Sequence, residues 1–403
     1  MSFRSSRAVA VALVTLATFT DMVAYSVAVP ILPDLSRRLG ASPTTIGFLF
    51  ASFGVTLLTV SIPMGAVSDR IGRRAPLVGG LLALAAATML FAFADSLAWL
   101  FAARLVQGAA DAVTWVVGFA LVADLYGPRE RGRVTGIVMA GTGFAFMIGP
   151  SLGGWLYEIG GMRLPFMAVG GMAAAVALAF VWLEIPPQHA RRDVVPLGIL
   201  LRVPSVASCT VAVIAASATI SMLEPVLALQ LGTRLGVGPA RIGVLFGVAA
   251  VATTMLQPFY GRLTDRWGGR RLTMAGLVAS GCALPVLGRA WNFESATGLY
   301  ALQAAAVALV ITPSLVYMAD ATSEAGDGSF GVAYGLYNMA WGAGLLGGPA
   351  LGGFLFERMG FALLALAWGP SLVVVMFVLA LTPVCRTPAG ARASFPADFH
   401  HRS

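Results

Sequence analysis

Four ionisable residues stand well inside stretches that are otherwise almost free of charge: Asp21, Arg104, Asp111 and Glu224. Removing a charged side chain from water is costly unless it is paired or hydrogen-bonded. Such groups mark either a structural pair or a place where ions and protons are handled. Asp21 is the lone charge in an apolar run from Ala8 to Pro33. It reads as a cation or proton site, or as a structural carboxylate capped by Thr18 and Thr20. Glu224 sits in Ile220-Ser221-Met222-Leu223-Glu224-Pro225 with no opposite charge nearby in sequence. Pro225 removes a backbone donor there. An acid that holds a proton at rest and gives it up on exposure is what proton exchange requires. The alternative is an acid facing a vestibule at the far end of its span.

Arg104, Gln107, Asp111 and Trp115 recur at helical spacing. Seven residues is nearly two turns, so Arg104 and Asp111 share a face. Arg104 could neutralise Asp111, or pair with a carboxylate on another span. Tyr25, Phe53, Trp115, Tyr334 and Trp341 are candidates for an aromatic lining, with Asn338 between the last two. Such faces suit a lipophilic cation. Packing between helices would use the same rings.

The elements that position these residues follow from composition. The 403 residues are 58% hydrophobic and 11% charged, with mean hydropathy +0.85. Soluble domains carry about 25% charged residues. The net charge is +8, and all 26 basic residues are arginine. They lie between apolar stretches, which argues for membrane topology signals and against nucleic acid. The three cysteines, Cys209, Cys282 and Cys385, have no metal-ligand or disulfide-framework spacing. No cleavable signal peptide is expected, because the first apolar run is too long and contains Asp21. There is no phosphate loop, nucleophile–base set or metal cluster, so an enzyme is not expected.

A spanning helix needs about 20 apolar residues. The pattern predicts twelve: 8–30, 44–68, 75–94, 97–124, 133–157, 164–184, 205–229, 241–263, 271–289, 293–319, 329–356 and 360–383. Pro30 and Pro33 are read as ending the first. An all-α membrane protein follows, with six-helix bundles at 1–185 and 205–383. A linker at 186–204 joins them and a tail occupies 384–403. Twelve spans put both termini on one side. That side collects eighteen arginines against seven on the other, so both termini are predicted to be cytoplasmic.

The halves repeat. Gly65-Ala66-Val67-Ser68-Asp69-Arg70-Ile71-Gly72-Arg73-Arg74 follows span 2, and Gly261-Arg262-Leu263-Thr264-Asp265-Arg266-Trp267-Gly268-Gly269-Arg270-Arg271 follows span 8. Span 5 carries Gly149-Pro150-Ser151-Leu152-Gly153-Gly154. Span 11 carries Gly348-Pro349-Ala350-Leu351-Gly352-Gly353. Internal repeats flanking a midplane site are typical of secondary transporters. Asp69 could cap the next helix and pair with Arg129 or Arg133, latching one state. Arg70 and Arg73 are read mainly as topology anchors. Asp265 would play a weaker version of the Asp69 role. Gly149 and Pro150 would serve as hinge and seal, or as ordinary small-residue packing.

The loop G-x-x-x-D-R-x-G-R-R resembles the signature loop of the major facilitator superfamily. The stretch Gly141 to Gly154 resembles the antiporter motif of its twelve-span drug/proton antiporters, and Arg104 to Gly108 resembles their third motif. Asp21 followed by Pro30, together with Met222-Leu223-Glu224-Pro225, is similar to vesicular monoamine transporters. Phe53 stands where those proteins have lysine, Asn338 where they have aspartate, and Asp111 is an additional acid. The resemblance implies two pseudo-symmetric bundles and export of amphiphilic or cationic small molecules in exchange for protons. Asp21 and Glu224 would do the exchange, in a monomer of the inner membrane. The proton gradient would supply the energy, with no cofactor, metal or nucleic acid. Rival readings are the same fold moving a neutral metabolite or antibiotic, a nutrient importer, or a non-transporting receptor.

Overall fold

The computed structural model describes residues 3–183, 202–324 and 330–382, with side chains for all of these except 3–6, 128, 129, 131, 323, 324 and 330–334. The tail at 384–403 lies outside the described residues, and so does the linker apart from 202–204. The described residues are almost entirely helical: α1 (Phe3–Ser26), a 3-10 turn (Val29–Ile31), α2 (Leu32–Leu39), α3 (Pro43–Ile71), α4 (Arg74–Phe93), α5 (Leu97–Leu125), α6 (Pro128–Gly160), α7 (Arg163–Val181), α8 (Pro204–Arg234), α9 (Pro239–Trp267), α10 (Gly269–Leu287), α11 (Phe293–Glu324) and α12 (Phe330–Leu381). Gly360 breaks α12 in two, with φ 76°. With α1 and α2 taken as one broken helix and α12 as two, twelve helical segments result; ten stretches of the described residues are long and apolar enough to cross a membrane, the last of them, Gly335–Leu381, holding both parts of α12.

Pro30 and Pro33 do not end the first span. Proline is tolerated at the first turn of a helix, where its missing N–H has no partner to lose. The chain therefore passes through the 3-10 turn and continues into α2, with both prolines buried. Elsewhere the boundaries have local causes. The Ser42 side chain accepts from the Thr45 N–H and caps α3. Prolines open α3, α6, α8 and α9. Gly72 and Gly268, the glycines of the repeated loop motif, end α3 and α9 with φ of 87° and 83°. An L side chain is strained there.

The surface is apolar and the centre is polar. Trp182, Met255 and Leu381 are 80%, 76% and 84% exposed, whereas Asp21, Arg104 and Glu224 are 1%, 0% and 3% exposed. Lipid can cover the former, and protein must satisfy the latter.

The halves meet along two seams, α3 with α12 and α6 with α9. Both are built on glycine. A Cβ on Gly47 or Gly353 would strike the backbone of the opposite helix, at Pro349 or Pro43; one on Gly154 or Gly243 would strike Pro239 or Pro150. All of these lie toward the ends of α2 and α8, where Gly232 rests on Pro33. This far face is sealed. Toward the opposite face, where α1 begins and α12 ends, a Cβ on Gly136 of α6 or Gly261 of α9 would meet no described atom within 4 Å, so the glycine seams do not extend to this near face.

A valine or leucine in place of Gly353 has nowhere to go while the far face is closed. Gly353→Leu should lower stability by about 1–3 kcal/mol, the usual cost of overpacking. Gly261→Ala should leave the thermal midpoint in detergent nearly unchanged.

Candidate functional site

Two clusters of buried polar groups lie where α1 and α5 meet each other and α8. In the first, Asp21 of α1 has the Asp111 carboxyl and the Trp115 indole of α5 as its polar neighbours. The Asp21 Oδ2 atom has no hydrogen-bond partner among the described residues. Thr18 and Thr20 do not cap it. Their hydroxyls donate to carbonyls of their own helix: Thr18 to Val14 and Thr15 (3.2 and 3.1 Å), Thr20 to Leu16 (2.7 Å). A hydroxyl inside a helix has that carbonyl always within reach.

In the second cluster the Tyr25 hydroxyl, one turn beyond Asp21, donates to Glu224 Oε2 at 2.6 Å. This bond joins the two halves. Arg104 stands beside it. Its Nη1 and Nη2 donate to the Tyr25 carbonyl at 3.4 and 3.5 Å, and Nη1 also donates to Gln107 Oε1 at 3.4 Å. The guanidinium lies 4.1 Å from the Phe50 ring centre, with Tyr25 and Phe91 at 5.4 and 5.3 Å. Its carboxylate neighbour is Glu224.

Arg104 thus does not neutralise Asp111. Seven residues of helix separate the two Cα atoms by about 10 Å along the axis. A shared face is not a shared position, and the guanidinium turns toward Tyr25 and Glu224 instead. Gln107 extends the network, its Nε2 donating to Thr88 Oγ1 at 3.2 Å. Phe53 is buried against Tyr25, ring centres 5.0 Å apart. Trp115 is half-buried, its ring tilted against that of Phe119 with centres 5.5 Å apart.

The α12 candidates stand apart. Asn338 is exposed, and Trp341 packs on the second half's core. Among the described residues no hydrogen bond or ion pair ties either to the two clusters. The Tyr334 side chain lies outside the described residues. Gly149 presses α6 onto Val23 and Ser26 of α1, while the carbonyl of Pro150 meets Gly243 of α9.

At the near face Asp69 pairs with Arg73 of its own loop at 2.6 Å, and no described contact takes it to Arg133. The Arg129 side chain lies outside the described residues. Arg73 is not a free anchor. It also donates through Nε to Asp124 at 2.8 Å and through Nη1 to Ser68 at 2.6 Å. The N-cap of α4 is Arg73, and no side chain caps it. Asp124, at the end of α5, escaped the sequence reading. An acid closing an apolar run beside an arginine-rich loop was the available signal. Arg70 and Asp265 are exposed and form no ion pair among the described residues. One tie is common to both halves: Arg270 Nη2 donates to the Thr382 carbonyl at 2.7 Å, and its counterpart Arg74 donates through Nε to the Phe180 carbonyl at 3.2 Å.

A family profile described as Major Facilitator Superfamily matches residues 14–221 and 209–399. A probable vesicular acetylcholine transporter-B of Danio rerio is 28% identical over 394 residues, covering 93% of this chain and 79% of that protein. The synaptic vesicular amine transporter of Homo sapiens is 26% identical over 372 residues, covering 90% and 70%. Among solved structures, a bacterial homologue of the human lysosomal transporter Spinster, inward-facing and unoccupied, superposes with TM-score 0.74 at 17% identity, over 94% of this chain and 96% of that one. The human organic anion transporter MFSD10 superposes with TM-score 0.68 at 20% identity, over 93% and 99%. These superpositions carry the fold alone.

Two consequences are measurable. Tyr25→Phe removes the described hydrogen bond to Glu224, and such a bond contributes about 0.5–1.5 kcal/mol when its partner is neutral and up to about 3 when it is charged. Thermal stability should fall by that order, and Glu224 should react faster with a hydrophobic carbodiimide. At the near face, the Asp124 side chain is 4% exposed and that of Asp69 is 50%. Asp124→Asn should cost about 2–3 kcal/mol and Asp69→Asn less than about 1, read as shifts in thermal midpoint.

Proposed function

The chain belongs to the Major Facilitator Superfamily and is a multi-pass membrane transporter; from that premise we propose that it exports an amphiphilic organic cation in exchange for protons by alternating access. The observation that carries this reading is the pair of buried acids, Asp21 on the first half, whose charged neighbour is another acid, and Glu224 on the second, which stands near Arg104 but forms no ion pair with it among the described residues. A carboxylate removed from water must be compensated. A proton and an organic cation are two ways to compensate it, and a site that can hold only one at a time exchanges them. Relatives named as amine and acetylcholine transporters support a cationic substrate. Asp111 places a second carboxyl beside Asp21, and Tyr25, Trp115 and Phe53 supply rings for the apolar part of the substrate.

In the proposed cycle the cation enters from the near face and displaces protons from Asp21 and Glu224. The halves, 1–185 and 205–383, rock about the site. Protons from the other side then reload the acids as the cation leaves. A ligand drives this only through its different affinity for the two states. Asp69, Arg73 and Asp124 would hold the near-face loop, and Pro150 the far-face seam, with Gly149 packing α6 on α1 behind it. The proton gradient is the energy source, with no resident cofactor or metal. The protein would act as a monomer in the cell's inner membrane, both termini in the cytoplasm, consistent with the arginine asymmetry.

Proteoliposomes with an imposed pH gradient and a fluorescent lipophilic cation test this. Gradient-driven uptake should be seen with wild type and fall at least tenfold in Asp21→Asn and in Glu224→Gln. Uptake that persists in both variants would remove these acids from the coupling. Uptake of a neutral analogue at the same rate as the cation would remove charge from the selectivity.

A further inference from the structure

The far-face seal holds two acids that play no part in the exchange described above. Glu158 lies two residues before the end of α6. Its Oε1 accepts from the Ala240 N–H at 3.2 Å, across the boundary between halves. Ala240 is the second residue of α9. Glu357 lies three residues before the break at Gly360. Its Oε2 accepts from the Thr44 N–H at 2.9 Å, across the other seam. Thr44 is the second residue of α3. Each carboxylate therefore sits on the N-terminus of a helix from the opposite half.

This matters because the first N–H groups of a helix have no partner within it, and that end attracts negative charge. The N-cap of α9 is Gly238, which has no side chain to offer. Its cap is Glu158, supplied in trans. In α3 the Ser42 side chain serves Thr45 and leaves Thr44 to Glu357. The two acids are equivalent in the repeat: Gly153-Gly154-Trp155-Leu156-Tyr157-Glu158 matches Gly352-Gly353-Phe354-Leu355-Phe356-Glu357. The glycines bring the backbones into contact, and the glutamate one turn later reaches the helix end. A third cross-seam bond, Ser151 Oγ to the Gly243 carbonyl at 3.0 Å, reinforces the α6–α9 side only.

Opening the far face must strip both carboxylates from both helix ends. We propose that Glu158 and Glu357 are the paired latches of the far face, positioning residues that set how readily the transporter opens on the side away from its termini. They act on the conformational equilibrium and not on the substrate, so the proposal stands whether or not protons are exchanged at Asp21 and Glu224.

The test uses the full chain in nanodiscs, with Cys209, Cys282 and Cys385 changed to serine and spin labels on Arg163→Cys and Arg289→Cys. These are exposed positions on the far face, one in each half. Distances between the labels are measured in wild type, Glu158→Ala, Glu357→Ala and the double variant. Amide exchange is followed at Thr44 and Ala240. Each single change should raise the far-face-open population about threefold to tenfold, the usual range for losing a helix cap, and the double change should raise it further. Glu158→Ala should also speed exchange at Thr44, on the other seam, which a merely local cap would not do. An unchanged distance distribution in the double variant would overturn the proposal. So would exchange that rises only at the amide each acid touches. Should the alanine variants fail to fold, Glu158→Gln and Glu357→Gln keep an acceptor and remove the charge; a smaller shift in the same direction supports the latch, and no shift overturns it.

Discussion

A guanidinium that cannot reach water governs the centre of this molecule. Arg104 is wholly buried, and an arginine in a bilayer-spanning core is tolerated only when its charge is met by carbonyls, carboxylates and ring faces. Here the Tyr25 carbonyl, Gln107, Phe50 and the field of Glu224 meet it. Tyr25 takes part twice, accepting from Arg104 through its backbone and donating to Glu224 through its hydroxyl. The first half thereby positions an acid that belongs to the second. Because the cation is committed to this cluster, Asp21 and Asp111 are left facing each other without it.

That division of labour was only half legible from the chain. A lone carboxyl in a long apolar run is visible in any sequence, and Asp21 and Glu224 were legible for that reason. Partner choice was not. Arg104 and Asp111 share a helical face, yet distance along the axis decides contact, and a sequence does not show which neighbouring helix stands opposite each turn. The same limit applied to Asp69, whose partner is within its own loop, and to Asp124, which is ordinary by composition and matters only because Arg73 folds onto it. The twelve crossings were readable because bilayer thickness sets a length that composition must meet. The prolines of the first span misled because proline stops a helix only where an N–H is needed.

The two faces are held by different contacts. At the far face the halves meet backbone against backbone, made possible by the absence of side chains at Gly47, Gly154, Gly243 and Gly353, with Ser151, Glu158 and Glu357 bonding across. At the near face the described contacts are ionic, within one half and at a loop. Glycine seams are short-ranged and fit in only one register, whereas charged side chains tolerate small displacements.

Three pairs of glycines hold the left-handed bends of the described chain: Gly40 with Gly236, Gly72 with Gly268, and Gly161 with Gly360. The first two pairs are spaced alike and the third nearly so, which identifies each half as a copy of the other. Six crossings is an even number, so a duplicated unit fused end to end re-enters the membrane with the same sidedness as its parent. Bends at one face stay at that face, and the first and seventh crossings come to face each other near the axis, where Tyr25 meets Glu224 although its counterpart at the 196-residue offset is Ser221. Because one chain carries both units, the two sides of the central site are free to differ: at the 196-residue offset the counterpart of Asp21 is Ser217 and that of Glu224 is Ala28.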